Sequence, residues 1–214
     1  MHLIFGIVRG VFAFADPATM STTHLLYLHG FRSSPDSIKA RLVRARVARD
    51  FPRVTLACPA LPVSPRAAME EVDDLIASWP RAHMAVVGSS LGGYYATWIA
   101  ERTGCRAVVL NPAVQAARDL ATQVGTHPAW HDPGQTIDFL ATHVQELRNY
   151  AVPAITRPER YYALIAHGDE VLDWREMSAH YAGTAGRLLP GSDHAITEFP
   201  EYLDEVLAFL DLAS

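Results

Sequence analysis

Ser90 stands in the run Gly88-Ser89-Ser90-Leu91-Gly92-Gly93, directly after the apolar Ala85-Val86-Val87 and directly before Tyr94-Tyr95-Ala96-Thr97-Trp98-Ile99-Ala100. A hydroxyl on a glycine-bracketed turn between a strand and a helix can serve as a nucleophile, because Gly88 and Gly92 lack the Cβ atoms that would collide in so sharp a bend. The helix behind it directs free N–H groups and the positive end of its dipole toward any oxyanion formed there. The pattern by itself also suits a glycine-rich turn in an unrelated α/β protein, so its partners matter. A serine hydroxyl is a weak nucleophile at neutral pH and needs a base, and the base needs an orienting acid. His194, in Gly191-Ser192-Asp193-His194, and Asp169, in His167-Gly168-Asp169-Glu170, both follow apolar runs. Ser90, Asp169 and His194 therefore come in that order at the ends of three separate predicted strands, all on one sheet edge.

Other groups compete for these roles. Glu170, Asp173 and Asp193 are alternative acids, but Asp193 adjoins the histidine on a turn, where a side chain more readily bonds its local backbone. His167 is the rival base, yet it precedes the acid, whereas His194 lies just before the final helix. In the expected reaction Ser90 attacks an acyl carbonyl, His194 takes its proton and returns it to the leaving alcohol or thiol, and Asp169 fixes the imidazole tautomer. The oxyanion needs two donors, for which the backbone N–H groups of Leu91 and of Phe31, in His29-Gly30-Phe31, are the candidates. His29 and Tyr94 are candidate substrate contacts, with Tyr95 beside Tyr94 also able to line a pocket, although aromatic residues on such a helix commonly belong to the core. This chemistry requires neither a metal nor an organic cofactor. An amidase or peptidase would use the same three groups, and a non-catalytic binding protein could share the framework.

The elements that must position these residues alternate strand and helix from His24 onward, the pattern of a mostly parallel sheet covered on both faces. Leu25–Leu28 reads as a buried strand, and Ser34-Pro35-Asp36 as the N-cap and first turn of a helix reaching Arg49. Arg41, Arg44, Arg46 and Arg49 on that helix read as a solvated face, with contact to a coenzyme A phosphate as the sharper alternative. Val54–Ala57 is the second strand. Ser64-Pro65 opens a helix whose Met69, Val72, Leu75 and Ile76 mark one buried face. After the Ser90 turn and its helix comes a strand at Ala107–Leu110. Residues 113–160 break the rhythm and read as a cap-like insertion, with helices around Ala116–Val124 and Thr136–Glu146 and a turn at Asp132-Pro133-Gly134. His127, His131 and His143 lie within it without a compact metal-ligand spacing. Tyr161–Ala166 and Gly186–Leu189 are further strands, and an amphipathic helix through Tyr202, Leu203, Val206, Phe209 and Leu210 ends the chain.

The chain has 214 residues, half of them hydrophobic, enough for one α/β domain over residues 21–214. Its formal net charge of −5 gives no bulk attraction to nucleic acid or anionic membrane. Cys58 and Cys105, only two, fit reduced thiols in the cytoplasm better than a disulfide framework. Leu3–Ala15 is apolar but interrupted by Arg9 and shorter than the roughly 20 residues that span a bilayer, so no stable membrane insertion is expected. It also lacks a basic segment ahead of it, so it reads as an extension, residues 1–20, with translation beginning at Met20.

His29-Gly30-Phe31 with Ser33-Ser34-Pro35 and Lys39-Ala40, Val87–Thr97, Asn111-Pro112-Ala113-Val114, Gly168–Leu172 and Asp193-His194-Ala195 together resemble the YqiA-type esterases (UPF0227-like) of the α/β-hydrolase superfamily, from about Leu25 to the C-terminus. The resemblance implies a three-layer α/β-hydrolase fold and a small serine esterase acting on short acyl esters and acyl-CoA thioesters, with Ser90, Asp169 and His194 as its triad.

Overall fold

The computed structural model describes residues 21–129, 134 and 136–214. The expected extension over residues 1–20, His131 and the Asp132-Pro133 turn lie outside the described residues. Six strands form one sheet: β1 (His24–Leu28), β2 (Thr55–Ala57), β3 (Met84–Ser89), β4 (Arg106–Leu110), β7 (Tyr161–Ala166) and β8 (Ala185–Leu189), in the spatial order β2-β1-β3-β4-β7-β8. Every neighbouring pair is parallel. Side chains alternate across the sheet, and both sets are buried. Leu26, Leu28, Val86, Val109 and Ile165 pack under α2 (Pro65–Ile76), α3 (Leu91–Thr103), α5 (Ala141–Leu147) and α6 (Trp174–His180). Leu25, Tyr27, Ala85, Val87 and Leu164 pack under α1 (Ile38–Asp50) and α7 (Phe199–Leu210). Burial on both faces is why these strands read as continuous apolar runs. From β1 the chain moves outward to β2 and then crosses to β3 on the other side, so the carboxyl ends of β1 and β3 flank the topological switch point, where α/β sheets place ligands.

Three local expectations are corrected. The first helix begins at Ile38, with Ser37 as its cap, the hydroxyl accepting the Ala40 N–H. Ser34 instead accepts the Asp36 N–H at 3.2 Å through its hydroxyl and the Ser37 N–H at 3.1 Å through its carbonyl. Serine followed by proline at these positions suits a turn as well as a helix start, and the second serine supplies the cap. In the insertion, Thr136–Phe139 is strand β6, not helix, paired antiparallel with β5 (Gly125–Pro128). Thr136-Ile137-Asp138-Phe139 alternates polar with apolar, and Thr126 donates to Asp138 across the pair at 2.6 Å. Only α5 after it is helical, and the earlier helix is α4 (Ala116–Leu120) followed by a 3-10 turn, Ala121–Gln123. On α2, Met69, Val72 and Ile76 are buried while Leu75 is exposed at the edge of the stripe.

The insertion is fastened to the core by α5. Glu146 accepts from the Ser64 hydroxyl (2.7 Å) and from the Arg66 N–H (3.0 Å) at the start of α2. Burial opposes its charge, but these bonds, with His143 and Arg66 nearby, hold the carboxyl below its ordinary range.

Candidate active site

Ser90 has φ 56° and ψ −120°, a left-handed conformation that costs of order 1–3 kcal/mol for a residue with a side chain and must be imposed by its surroundings. The Ser90 N–H donates to Leu110 O at 3.0 Å, and the Ser90 carbonyl accepts from Gly93 (2.9 Å) and Ala113 (3.1 Å). The glycines are a steric requirement. A Cβ on Gly88 would fall 2.1 Å from Gly92 O, and one on Gly92 would fall 2.0 Å from Leu28 O, at the end of β1.

The three sequence-predicted residues converge. His194 Nε2 lies 3.1 Å from Ser90 Oγ, and His194 Nδ1 lies 2.7 Å from Asp169 Oδ2. The Asp169 side chain is fully covered, and its other oxygen accepts the N–H groups of Val171 and Leu172, each at 2.8 Å. A hydroxyl, an imidazole and a buried carboxylate thus form one hydrogen-bonded chain, an arrangement that can activate a serine oxygen. The competing acids are engaged elsewhere. Asp193 accepts from the backbone and hydroxyl of Thr197, Asp173 caps α6 through the Arg175 N–H, and Glu170 accepts the backbone N–H of His194 at 3.0 Å. His167 stacks on Trp174, with ring centroids 4.4 Å apart.

The loop after β1 runs beside Ser90: a Cβ on Gly30 would stand 3.1 Å from Ser90 Cβ and 3.6 Å from its Oγ. That places the backbone of Gly30-Phe31 on one side of Ser90 and Leu91, the first residue of α3, on the other. The cap holds this loop, since the Phe31 ring meets Phe139 edge-on at 5.0 Å and Arg32 Nε donates to Pro128 O at 3.0 Å. His29 is buried and borders a cavity of about 350 Å3 between the loops after β1 and β2 and the start of α3. Its Nε2 accepts the Leu61 N–H at 3.1 Å, which leaves the proton on Nδ1 to donate to Gly30 O at 3.0 Å. His29 thereby ties the β1–α1 loop to the β2–α2 loop. Of the two candidate tyrosines, Tyr94 donates its hydroxyl to Leu147 O at 2.7 Å in the core beneath α5, and Tyr95 borders the cavity. Successive helical residues point about 100° apart, which turns the two rings toward different surroundings.

Three residues that the sequence named without assigning them this role support the His194 loop. Asn111 and Glu170 brace the His194 loop, and Lys39 of α1 donates to Ala195 O. Burial pushes the Lys39 amine down to about 8, against the opposing pull of Asp193 and Asp169. Two short-range signals were present, the polar Asn111 closing an apolar strand and the carboxylate beside Asp169, but the Lys39 contact joins residues far apart in sequence. Three of the four α1 arginines are paired with carboxylates: Arg44 with Asp36, and Arg46 and Arg49 with Asp50. Burial raises the Cys58 and Cys105 thiols to about 11, away from thiolate chemistry. Among the described residues, no group of three or more His, Cys, Asp or Glu gathers as a metal site, and no helix is long and apolar enough to cross a membrane.

The model of an uncharacterised protein family, UPF0227, matches residues 24–211. Solved structures share the fold at low identity. A presumed hydrolase from Agrobacterium vitis S4 superposes with a TM-score of 0.67 at 15% identity, covering 92% of this chain and 90% of that one. A metagenome-derived lipolytic enzyme gives 0.65 at 18%, covering 89% and 94%. An S-formylglutathione hydrolase from Agrobacterium tumefaciens gives 0.62 at 14%, covering 91% and 85%. The sheet, its two helical layers and these superpositions define an α/β-hydrolase fold.

Proposed function

The chain belongs to the UPF0227 family and has the α/β-hydrolase fold, and from the arrangement around Ser90 we propose that it is a serine hydrolase of carboxylic esters. One observation carries the reading: the unbroken chain from Ser90 Oγ through the His194 imidazole, at 3.1 Å and 2.7 Å, to the buried Asp169 carboxylate. As Ser90 Oγ bonds to the acyl carbon, its proton passes to His194 Nε2, and the carbonyl electron pair moves onto the oxygen. The N–H groups of Leu91 and Phe31 receive that oxyanion. Collapse breaks the bond to the alcohol, which leaves with the proton from His194. Water then attacks the acyl-enzyme by the same route, releasing the acid and restoring Ser90. Asp169 keeps the Nδ1–H tautomer in place and stabilises the imidazolium without taking the proton itself.

Esters of short acyl chains are the primary substrate class, and thioesters react by the same steps, the thiol leaving with the proton from His194. The pairing of Arg44, Arg46 and Arg49 with carboxylates favours simple esters over recognition of coenzyme A phosphates by α1. The test compares hydrolysis of p-nitrophenyl acetate, butyrate and octanoate by the wild-type protein and Ser90→Ala. Nitrophenolate release by the wild type, reduced at least about a thousandfold in the variant, supports the reading. Equal background rates in both proteins overturn it.

A further inference from the structure

Arg32 has φ 58°, in the left-handed region, at the third position of a four-residue turn closed by the Ser33 N–H donating to Gly30 O at 3.2 Å. Glycine or asparagine is the ordinary occupant of such a position, because a larger side chain is strained there. The turn carries arginine instead, and its Nε donates to Pro128 O at the end of strand β5, in the cap hairpin, at 3.0 Å. A glycine would relieve the backbone but could not reach the hairpin. Strain retained in this way points from the conformation to a task for the side chain.

The residue before Arg32 is fixed to the same hairpin. The Phe31 ring meets the buried Phe139 of β6 edge-on at 5.0 Å, and His127 of β5 at 6.1 Å. Gly30 O and the Phe31 N–H belong to one trans peptide group and point in opposite directions. That carbonyl accepts from His29 Nδ1 at 3.0 Å as well as from Ser33, which sets the direction of the Phe31 N–H. What these bonds leave open is the position of the whole loop over Ser90, and the hairpin governs it through both contacts. The hairpin has a firm footing, because α5, which follows it, is bonded to the start of α2 through Glu146.

Resting on the serine-ester reading, in which the Phe31 N–H receives the oxyanion, we propose that the cap hairpin positions this donor, with Arg32 and Phe139 as the positioning residues. An oxyanion donor works at about 2.7–3.1 Å from the oxygen that forms, and losing one costs on the order of a hundredfold or more in rate. A loop released from the hairpin therefore forfeits part of that factor while substrate binding is little changed.

The test measures kcat, KM and urea unfolding for the wild-type protein, Arg32→Gly, Arg32→Lys and Phe139→Leu. The substrates are p-nitrophenyl butyrate and its O-aryl thionoester, in which sulfur, a poor hydrogen-bond acceptor, replaces the carbonyl oxygen. Arg32→Gly removes the tether and the strain together, so its urea midpoint should stay close to that of the wild type. It should lower kcat for the ester about ten- to fiftyfold with KM within about threefold, and leave the thionoester rate within about threefold. Arg32→Lys keeps a donor on a long stem and should recover the ester rate to within about fivefold of the wild type. Phe139→Leu keeps the site apolar without the ring contact and should repeat the split between ester and thionoester. Ester and thionoester rates that fall by equal factors overturn the positioning role, while Ser90-dependent hydrolysis by the wild type stands. So does an ester rate unchanged in both Arg32→Gly and Phe139→Leu. Absence of any Ser90-dependent hydrolysis overturns the ester reading and the positioning role with it.

Discussion

The side-chain amide of Asn111 donates to the backbone carbonyl of His194 at 3.0 Å, joining the end of β4 to the loop that carries the imidazole. The same nitrogen donates to Asp193 O at 3.0 Å, and Asn111 Oδ1 accepts the Ala166 N–H at 2.7 Å. Asn111 is wholly buried and has φ 42°, a region that asparagine tolerates better than most residues. One side chain thus bridges the ends of two strands and the loop bearing His194.

Asn111→Ala strands three buried backbone groups, a loss of about 2–4 kcal/mol in stability. It is expected to lower kcat about ten- to a hundredfold with KM within threefold. Asn111→Asp keeps the acceptor for Ala166 but offers no donor, so it isolates the link to the His194 loop. Steady-state kinetics beside urea unfolding separate the two effects, and an unchanged kcat in both variants counts against a positioning role.

Asp169 and Glu170 are adjacent but act on different atoms of His194, the ring and the backbone. Asp169→Asn should lower kcat by about ten thousandfold, because the amide no longer fixes the required tautomer. Glu170→Ala, which removes a bond at the exposed surface, should cost less than tenfold. The reverse order would move the orienting role to Glu170.

Gly92→Ala should fail to fold or lose more than about 3 kcal/mol, because its Cβ would meet backbone rather than a yielding side chain. Thermal unfolding reads this directly. A variant with wild-type Tm would mean that the close approach of α3 to the end of β1 is not required.

Lys39 carries a pH signature. Its folded value of about 8 lies below the ordinary lysine value near 10.4, so between those limits the unfolded chain binds more protons and stability rises with pH. Below pH 8 the cost of holding the ammonium among covered groups is constant. The stability difference between wild type and Lys39→Met should therefore shift in favour of the wild type by up to about 3 kcal/mol between pH 7.5 and pH 10.4. Urea unfolding at the two ends of that range measures it, and a flat difference rules it out.

Legibility in the sequence followed the range of the forces involved. Strands β1, β3, β4 and β7 were plain because burial on both faces writes an apolar run, and the Ser90 turn because only glycine fits beside it. Ser34 and Ser37 have equal capping chemistry, and the choice between them rests on the turn that Pro35 closes. Thr136–Phe139 is too short for its alternation to outweigh the helical pattern that follows it, and pairing with β5 and burial of Phe139 against Phe31 hold it as a strand. Asn111 and Lys39 act through bonds to residues distant in sequence, which no periodicity records. Tyr94 and Tyr95 are the same residue type, and only the helix rotation distinguishes them.

Whether Ser90 is the nucleophile is read by intact and peptide mass spectrometry after reaction with an organophosphorus fluoride. A single phosphonyl adduct should form on Ser90 in the wild type and be abolished by His194→Ala. Labelling elsewhere, or none under conditions where the folded protein is verified, would contradict that role.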